Sequence, residues 1–350
     1  MVGVRDVAKS AGVSVGTVSS VLNNSVWVSD EIRSKVERAM KELGYVPNEL
    51  ARNLFRNRTD LVGVIVPTIA HPFFAELVEH LENHLSQHGL RVMLCSTNTQ
   101  QRGEQEYVEM LRRHMMDCII MCAHTIHPSS YWESIGRPIV AVDRNLGGAI
   151  PNIGSDHVQG GRFVANALIK SGATHVVQVG ASADQLHDLE DLQSGMSRIA
   201  SFPSLAHHVE LIRLLTEHDI AVETTVFTDM SHNGDLDTAA DAIFEQFPDV
   251  DAIVAPDTEA AVCLRRALAA GMRVPQDLQI IAYDGSSILR AAGMDITAVV
   301  QDFDQIAKRT VDRVLKEIES EHAPEQNNVN NPDVGTELVP VSFMQGLTTR

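Results

Sequence analysis

The chain has 350 residues, of which 46 are Asp or Glu and 28 are Lys or Arg, so its formal net charge is −18. No apolar run approaches the roughly 20 residues of a membrane-spanning helix. The first residues also lack the charged-then-apolar pattern of a signal peptide. These totals exclude a membrane-spanning chain and predict a cytoplasmic protein that has a small module and a larger part.

The acidic charge is unevenly distributed along the chain. Through residue 60 there are nine Lys and Arg against seven Asp and Glu, whereas the remainder carries 19 against 39. Because an acidic body is repelled by phosphate, any nucleic-acid contact is expected in the N-terminal module.

The N-terminal module begins with two predicted short helices separated by a tight turn. The first helix spans residues 5–11 and stops at Gly12, because glycine readily adopts the left-handed conformation after a helix. Ser14 is a favourable N-cap for a second helix over residues 15–23. Two short helices joined by a three-residue turn that contains glycine form a helix-turn-helix unit.

The second helix is predicted to present a neutral face to its surroundings. Its apolar stripe, Val18, Val21 and Leu22, faces inward at helical spacing. The residues left outward are small or carry hydroxyl groups: Val15, Gly16, Thr17, Ser19 and Ser20. Such side chains suit a helix in the major groove, where they can meet phosphates and base edges. The alternative is a neutral helix face that contacts only solvent.

A third helix is predicted from N-cap Ser29, and a shorter one over residues 48–55 follows Pro47. The shorter helix is below the roughly 12–15 residues that a helix needs to be stable alone. It carries an apolar pair, Leu54 and Phe55, among the arginines Arg52, Arg56 and Arg58. This is the pattern of a minor-groove intercalator, although a plain linker would look similar.

The segments VRDVAKSAGVSVGTVSSVLN and VSDEIRSKVERAMKELGYVPNELARNL closely resemble the N-terminus of the lactose-repressor (LacI) family of bacterial transcription regulators. The resemblance places Val15, Gly16 and Ser20 at base-reading positions, and Leu54 at the hinge-helix leucine that wedges into the operator. Gly16 departs from the family in offering no side chain for discrimination. The DNA-contacting residues expected from the pattern and the resemblance together are Ser14, Val15, Gly16, Thr17, Ser19, Ser20, Asn23, Tyr45, Asn48, Arg52 and Leu54.

From Leu61 onward, strand-like apolar runs alternate with amphipathic helices. The predicted strands span 61–66, 91–96, 118–122, 138–143, 175–180, 251–256, 278–284 and 296–300. The predicted helices span 72–88, 105–114, 157–171, 303–319 and a stretch ending at 270. This alternation predicts an α/β fold with doubly wound parallel sheets, in two lobes because of its length. No phosphate-binding glycine loop or catalytic motif is present, so we expect no enzyme, no catalytic residues and no cofactor.

Polar and aromatic residues follow several of the predicted strands. They include His71 and Asp143, and the candidate effector contacts Phe73, Phe74, Arg144, Asp257 and Asp284. In open α/β sheets a ligand binds at the carboxyl ends of the strands. Each of these residues could singly be a helix cap or a loop ion-pair partner, but together they favour a polar cleft.

The resemblance extends to this second part through segments such as PTIAHPFFAELVEHLE, RPIVAVDRN and LQIIAYD. It implies the fold of periplasmic sugar-binding proteins, with two lobes joined by three crossovers and a small effector between them. Phe73 matches an aromatic position that contacts effectors, and Asp284 matches the acid that bonds them. Leu192 stands where the family usually has a clamping arginine. Because leucine cannot clamp a polar group, three alternatives remain. The effector is less polar or cationic, another residue clamps it, or this protein has lost its effector.

The expected domains are a helix-turn-helix domain over 1–59, with a hinge helix at about 47–56, and an effector-binding and dimerisation domain over 60–350. Within the latter, the first lobe is expected at about 60–157 plus 287–319, and the second at about 158–286 plus 320–350. The expected function is a repressor that binds a pseudo-palindromic operator as a homodimer and answers to a small-molecule effector. An effector-independent regulator and a transport binding protein are the alternatives.

Cysteine and histidine patterns leave two further questions. The four cysteines, Cys95, Cys118, Cys122 and Cys263, are predicted to be buried, reduced thiols, since a zinc site would need more ligands nearby. No metal site is therefore expected. His80, His84 and His88 share one helix face, which predicts a solvated stripe, with zinc binding or a pH-sensitive interface as alternatives.

Overall fold

The computed structural model describes residues 2–23, 26–46, 58–97, 101–123, 127–180, 203–227, 235–321 and 335–350. The chain divides into two compact units, residues 1–59 and 60–350. The predicted hinge helix, with Asn48, Arg52 and Leu54, lies outside the described residues, as does Leu192. In the part of the chain that the structure describes, no helix is long and apolar enough to cross a membrane.

The N-terminal unit has three helices: α1 (Val4–Ala11), α2 (Val15–Leu22) and α3 (Asp30–Leu43). Gly12 ends α1 with a φ of 65°, the left-handed conformation that side chains disfavour. The three helices meet in a small core made of Val7, Ala8, Val18, Val21, Val36 and Ala39. The tight turn between α1 and α2 therefore has the predicted helix-turn-helix form.

The second unit alternates strands and helices. Its strands are β1 (Leu61–Val66), β2 (Arg91–Ser96), β3 (Cys118–Met121), β4 (Ile139–Val142), β5 (Asn152–Ser155), β6 (His175–Val179), β7 (Ala221–Thr225), β8 (Ala252–Pro256), β9 (Gln279–Asp284), β10 (Thr297–Val300), β11 (Thr336–Val339) and β12 (Ser342–Met344). Its helices are α4 (Pro72–Gln87), α5 (Gln101–Arg112), α6 (Ser129–Glu133), α7 (His157–Lys170), α8 (Ala206–Thr216), α9 (Leu236–Gln246), α10 (Asp257–Ala269) and α11 (Phe303–Glu321). Short 3₁₀ helices span Pro203–Leu205 and Ser287–Ala291.

These strands form two six-stranded sheets, one in each lobe. The first has the order β11-β5-β4-β3-β1-β2, and the second has the order β12-β10-β9-β8-β6-β7. All the strand pairs are parallel except that between β10 and β12. The strands are continuously apolar because helices cover the sheets and bury them in separate cores in each lobe. This confirms the predicted fold class.

The predicted lobe boundaries are wrong at the second and third crossovers. β10 lies in the segment 287–319 that was expected in the first lobe, but it pairs with β9 of the second lobe. Conversely, β11 lies in the expected second-lobe segment 320–350 but pairs with β5 of the first lobe. The chain therefore crosses between lobes near residues 156, 301 and 340. β10 stays beside the strand that precedes it in the chain, whereas the partner of β11 lies 184 positions earlier (Thr336 beside Asn152), and no local pattern reveals such a pairing.

All four cysteines are buried and free, as predicted. Burial raises the pKa of the Cys95 thiol to about 11 and moves the other three further in the same direction. Within the described ranges, no group of three or more His, Cys, Asp or Glu side chains could hold a metal ion.

Candidate nucleic-acid interface and effector cavity

The turn into α2 is held by hydroxyl groups. Ser14 is the N-cap, and its Oγ accepts a hydrogen bond from the backbone N–H of Thr17 at 3.0 Å. The Ser14 and Thr17 hydroxyls also lie 2.9 Å apart. The Ser14 hydroxyl, a predicted DNA contact, therefore stabilises the start of α2 in the free protein, because it satisfies the backbone N–H of Thr17.

The outward face of α2 is neutral and open. Val15 is 46% exposed, and Gly16, Ser19 and Asn23 are also exposed, whereas Ser20 is half-buried. Tyr45, another predicted contact, is half-buried and packs against the small core. The side chains that project from α2 are short, so the helix backbone could approach a groove floor closely.

A cavity of about 330 Å³ lies at the carboxyl ends of strands from both sheets. Predicted site residues Phe73, Phe74 and Asp284 line it, together with Asp143 and His71. Residues of the second lobe complete the wall, among them His157, His207, His208, Tyr283 and the crossover residue Gln301. Such a place, between two lobes and at strand ends, is where open α/β folds bind small ligands.

Stacked rings form one wall of the cavity. The imidazole of His207 stacks on the Tyr283 ring with centroids 3.8 Å apart, and His208 lies 3.9 Å from His207 on α8. Burial lowers the pKa of His208 to about 3 and moves that of His207 well below its usual range. Both imidazoles are therefore neutral at physiological pH, because charging a buried group requires its desolvation.

His157 ties the two lobes together at the first crossover. Its Nε2 lies 3.1 Å from Oδ1 of Asp143, which follows β4 in the first lobe. Its Nδ1 lies 3.1 Å from the Tyr283 hydroxyl in the second lobe. Gly160, one turn further along α7, leaves room for that hydroxyl, since a Cβ there would overlap the Tyr283 oxygen.

Gln301 makes the corresponding link at the second crossover. It donates from Nε2 to Oδ1 of Asp284 at 2.7 Å, and its Oε1 accepts a hydrogen bond from the Ser155 hydroxyl at 2.5 Å. Burial and the neighbouring Asp257 carboxylate raise the pKa of Asp284 well above its usual range, which favours the uncharged acid. Asp284 has a φ of 130° and Asp143 a φ of 48°. Strained backbone of this kind in non-glycine residues is typical of functional sites.

Comparisons with known proteins follow the same division of the chain. Residues 4–48 match the family model for bacterial regulatory proteins of the lacI family. Residues 59–200 match periplasmic binding proteins and the sugar binding domain of the LacI family, and residues 165–335 match a periplasmic binding protein-like domain. The sucrose operon repressor of Streptococcus mutans is 33% identical over 341 residues, 97% of each chain. The chain belongs to the LacI family.

Other members support this assignment. The ribose operon repressor of Bacillus subtilis is 32% identical to this LacI-family chain over 286 residues, which is 81% of this chain and 82% of that repressor. The Lac repressor dimer bound to operator and the anti-inducer ONPF has a TM-score of 0.78 at 22% identity, over 99% of both chains, and shares the fold. The protein is thus a DNA-binding transcription repressor with an effector domain, and it is not an enzyme.

Two predicted effector contacts of this LacI-family protein do not line the cavity. The Asp257 carboxylate, 2% exposed, accepts hydrogen bonds from the Gly285 backbone and the Ser286 hydroxyl, so it holds the loop after Asp284. Arg144 is 1% exposed, and its charge interacts with that of the buried Glu104. Asp143 lines the cavity, whereas Arg144, the next residue, does not.

The histidines of the wall were missed by the reasoning from sequence. His157 follows the N-cap Asp156 of α7, and this strand-to-helix junction was a signal that could have indicated it. His207 and His208 lie on α8, in a stretch whose helix was not predicted. Only their position in the folded protein shows that they border the same space as Phe73.

The prediction that the histidines of α4 form a purely solvated face is wrong. His84 Nε2 lies 2.8 Å from Oδ1 of Asp304 on α11, and His80 Nδ1 lies 3.5 Å from the same oxygen. The hydrogen bond from His84 lowers the pKa of Asp304. The packing of α4 on α11 brings these residues together, which the pattern along one helix could not show.

Proposed function

We propose that this LacI-family repressor acts in the cytoplasm as a homodimer that binds a pseudo-palindromic operator. The observation that carries this proposal is the outward face of α2. Its side chains are short, neutral and exposed, and they lie on a unit in which Lys and Arg outnumber Asp and Glu. A two-fold dimer would present two such helices to two half-sites one helical turn apart. The body of the protein, with 39 acidic residues after residue 60, would stay away from phosphate.

The residues that would contact DNA are those of α2 and its flanks. Val15, Gly16 and Ser20 would meet base edges, while the other predicted residues would meet the backbone: Ser14, Thr17, Ser19, Asn23, Tyr45, Asn48 and Arg52. Leu54 would wedge into the centre of the operator, as the family resemblance implies. Short hydroxyl side chains suit this role, because they reach phosphates and base edges when the helix lies close to the groove floor.

A sugar in the cavity would control the affinity for the operator. Phe73 and Phe74 supply apolar surface, and Asp284 supplies a polar group at the strand end. The relatives named for sucrose and ribose operons support a sugar as the ligand. His157 and Gln301 lie at crossovers and contact groups that line the cavity, so a bound ligand would alter lobe closure through them.

The DNA-binding part of the proposal is tested by selecting duplexes from a random library with the full chain. We expect an inverted repeat, and Ser20→Ala should weaken binding to it by about 1–3 kcal/mol if the hydroxyl reads a base. Ser34→Ala is the matched control, because Ser34 is exposed on α3. A selected site without two-fold symmetry, or equal effects of both variants, would contradict the proposed interface.

The effector part is tested by measuring operator affinity in the presence of a sugar panel. A ligand that changes the affinity should lose its effect in Asp284→Ala, while operator binding without ligand stays near that of the natural sequence. If no sugar changes operator affinity, the alternative of an effector-independent regulator takes the place of this part of the proposal.

A further inference from the structure

The two lobes also meet at a hydrogen bond that lies outside the three crossovers. Glu76 on α4 of the first lobe accepts it from the backbone N–H of Ser287 in the second lobe. We propose that this contact is a latch between the lobes, and that Glu76 thereby acts as a positioning residue that holds Asp284 where an effector meets it. The proposal deepens the proposed function and rests on it only where it concerns the effector.

The two ends of this latch, Glu76 and Ser287, belong to separate hydrophobic cores. α4 packs into a core of the first lobe through Leu77 and Leu81. Ser287 begins the 3₁₀ helix between β9 and β10, and Leu289 of that helix packs into a core of the second lobe. A side chain anchored in one core and a backbone group anchored in the other can bond only when the lobes approach each other. The latch is therefore specific to one arrangement of the lobes.

The latch completes a set of hydrogen bonds to three successive residues. Asp257, on α10 of the second lobe, accepts from the Gly285 backbone at 3.2 Å and from both the backbone and the hydroxyl of Ser286. Glu76 accepts from the next backbone N–H, that of Ser287. The turn after β9 is thus held by one carboxylate from its own lobe and by one from the opposite lobe.

This turn has little freedom to move independently of Asp284. Gly285 has a φ of 76°, and a Cβ at this position would lie 2.7 Å from the Val300 backbone. Asp284, the preceding residue, has a φ of 130° and lines the cavity. Because neighbouring residues in such a constrained turn move together, a displacement of Ser287 would also displace the Asp284 carboxyl group.

The end of the latch in the first lobe also adjoins the cavity. Glu76 follows Phe73 by three positions on α4, so the two side chains are neighbours on the helix surface. Phe73 lines the cavity, as Asp284 does from the other lobe. An effector that contacts both Phe73 and Asp284 needs the same approach of the lobes as the latch. The latch therefore preorganises the site and reduces the free-energy cost of closing it around a ligand.

Acidic groups near the latch oppose it. Burial raises the pKa of Asp257 to about 6, and the Glu76 charge acts in the same direction across the lobe boundary. Repulsion between these two carboxylates favours separation of the lobes, whereas the N–H groups of the turn favour their approach. Because the two contributions oppose each other, the contacts of an effector with both lobes can decide which arrangement is populated.

Hydrogen exchange of the full chain without ligand tests the latch itself. In Glu76→Ala, peptides that contain Ser287 should exchange about threefold faster or more, because this amide lacks its acceptor. Glu76→Gln keeps an acceptor oxygen and should restore the natural rate. Glu79→Ala is the matched control, since Glu79 is exposed on the same helix. Unchanged exchange in Glu76→Ala, or an equal increase in Glu79→Ala, overturns the proposal.

Calorimetry tests whether Glu76 positions the effector site. The probes are sucrose and ribose, after the operons for which two relatives are named. A sugar that binds the natural protein should bind Glu76→Ala about three- to tenfold more weakly, and Glu76→Gln within about twofold of the natural affinity. Thermal unfolding midpoints show whether each variant remains folded. Equal affinities of the natural protein and Glu76→Ala overturn the positioning role of Glu76.

The two measurements separate failure of this proposal from failure of the proposed function. If neither sugar binds the natural protein, the sugar effector of the proposed function fails, and hydrogen exchange still decides whether the latch exists. If a sugar binds and changes operator affinity equally in the natural protein and in Glu76→Ala, the proposed function stands and the latch proposal is overturned.

Discussion

The N-terminal unit and the effector cavity place their polar side chains in opposite surroundings. In α2, polar residues that are close in sequence point outward and are exposed to solvent. In the cavity, polar residues from distant parts of the chain point inward, and burial shifts the pKa of His208, His207 and Asp284. A surface that reads DNA needs little preorganised burial, whereas a site that selects a small ligand depends on it.

The two regions also differ in what supports them. Within the described residues, the N-terminal unit rests on six buried hydrophobic residues, all Val or Ala, whereas the effector unit has four larger clusters. Small domains bury a smaller fraction of their surface and have little stability to lose. The following substitutions would break or sharpen this comparison, and the largest expected effect comes first.

Val18→Asp should unfold the N-terminal unit and leave the effector unit folded. Val18 is fully buried in the small core, and an unpaired buried charge is expected to cost more than about 4 kcal/mol. Thermal unfolding followed by circular dichroism should lose helix signal from this unit only. Val15→Asp on the same helix is the control, because Val15 is exposed, and it should fold but bind operator less well. Equal loss of folding in both would refute the distinction between the two faces.

Glu104→Gln should change how stability depends on pH in the effector unit. Burial raises the pKa of the fully buried Glu104 to about 7, although the Arg144 charge acts in the other direction. The stabilising contribution of the uncharged Glu104 should therefore be complete below the unfolded pKa of about 4.5, and about 3 kcal/mol of it should be lost as pH rises through 7.

The side chain of the Glu104→Gln variant cannot ionise, so the variant should not show that loss of stability. Urea unfolding at pH 4 and pH 8 measures the free energy of unfolding of both proteins and gives the difference. Glu106→Gln, exposed on the same helix, should keep the pH dependence of the natural protein. Parallel pH profiles for the natural protein and Glu104→Gln would show that Glu104 does not titrate in this range.

Gly160→Ala should disturb the cavity through Tyr283, although Gly160 is not itself among the lining residues. The new Cβ would overlap the Tyr283 hydroxyl and push it from His157, at a cost of about 1–3 kcal/mol. Sugar affinity should fall together with the unfolding midpoint. Gly148→Ala is the control, since a Cβ at Gly148 would meet no atom within 4 Å. If Gly160→Ala binds sugar normally, the stacked wall is not required for the ligand.

Ser14→Ala should have the smallest effect, about 1 kcal/mol on the N-terminal unit. It removes the acceptor for the Thr17 backbone N–H at the start of α2. Ser14→Asp, which can still cap the helix, should recover the stability but not the affinity for DNA, because its charge repels phosphate. Recovery of both would mean that Ser14 only caps the helix, and loss of both would contradict its capping role.

The amino-acid sequence by itself determined those elements of this protein that have strong local signals. Ser14 and Gly12 mark the turn of the helix-turn-helix unit through local backbone preferences, and the apolar runs of β1 and β9 predict buried strands. Such features depend on neighbours within a few residues, so they can be predicted along the chain. Phe73, Phe74 and Asp284 were also found in this way, because strand ends predict ligand sites in α/β folds.

Only the tertiary structure decided which elements meet. β10 pairs with the preceding strand β9 and so stays in the second sheet, whereas β11 joins the first sheet beside β5, which lies far away in sequence. His71 and His208 border one cavity although 137 positions separate them, and Asp257 and Arg144 point elsewhere although each follows a strand. Side-chain direction and long-range pairing depend on packing of the whole domain, which the local pattern of residues does not specify.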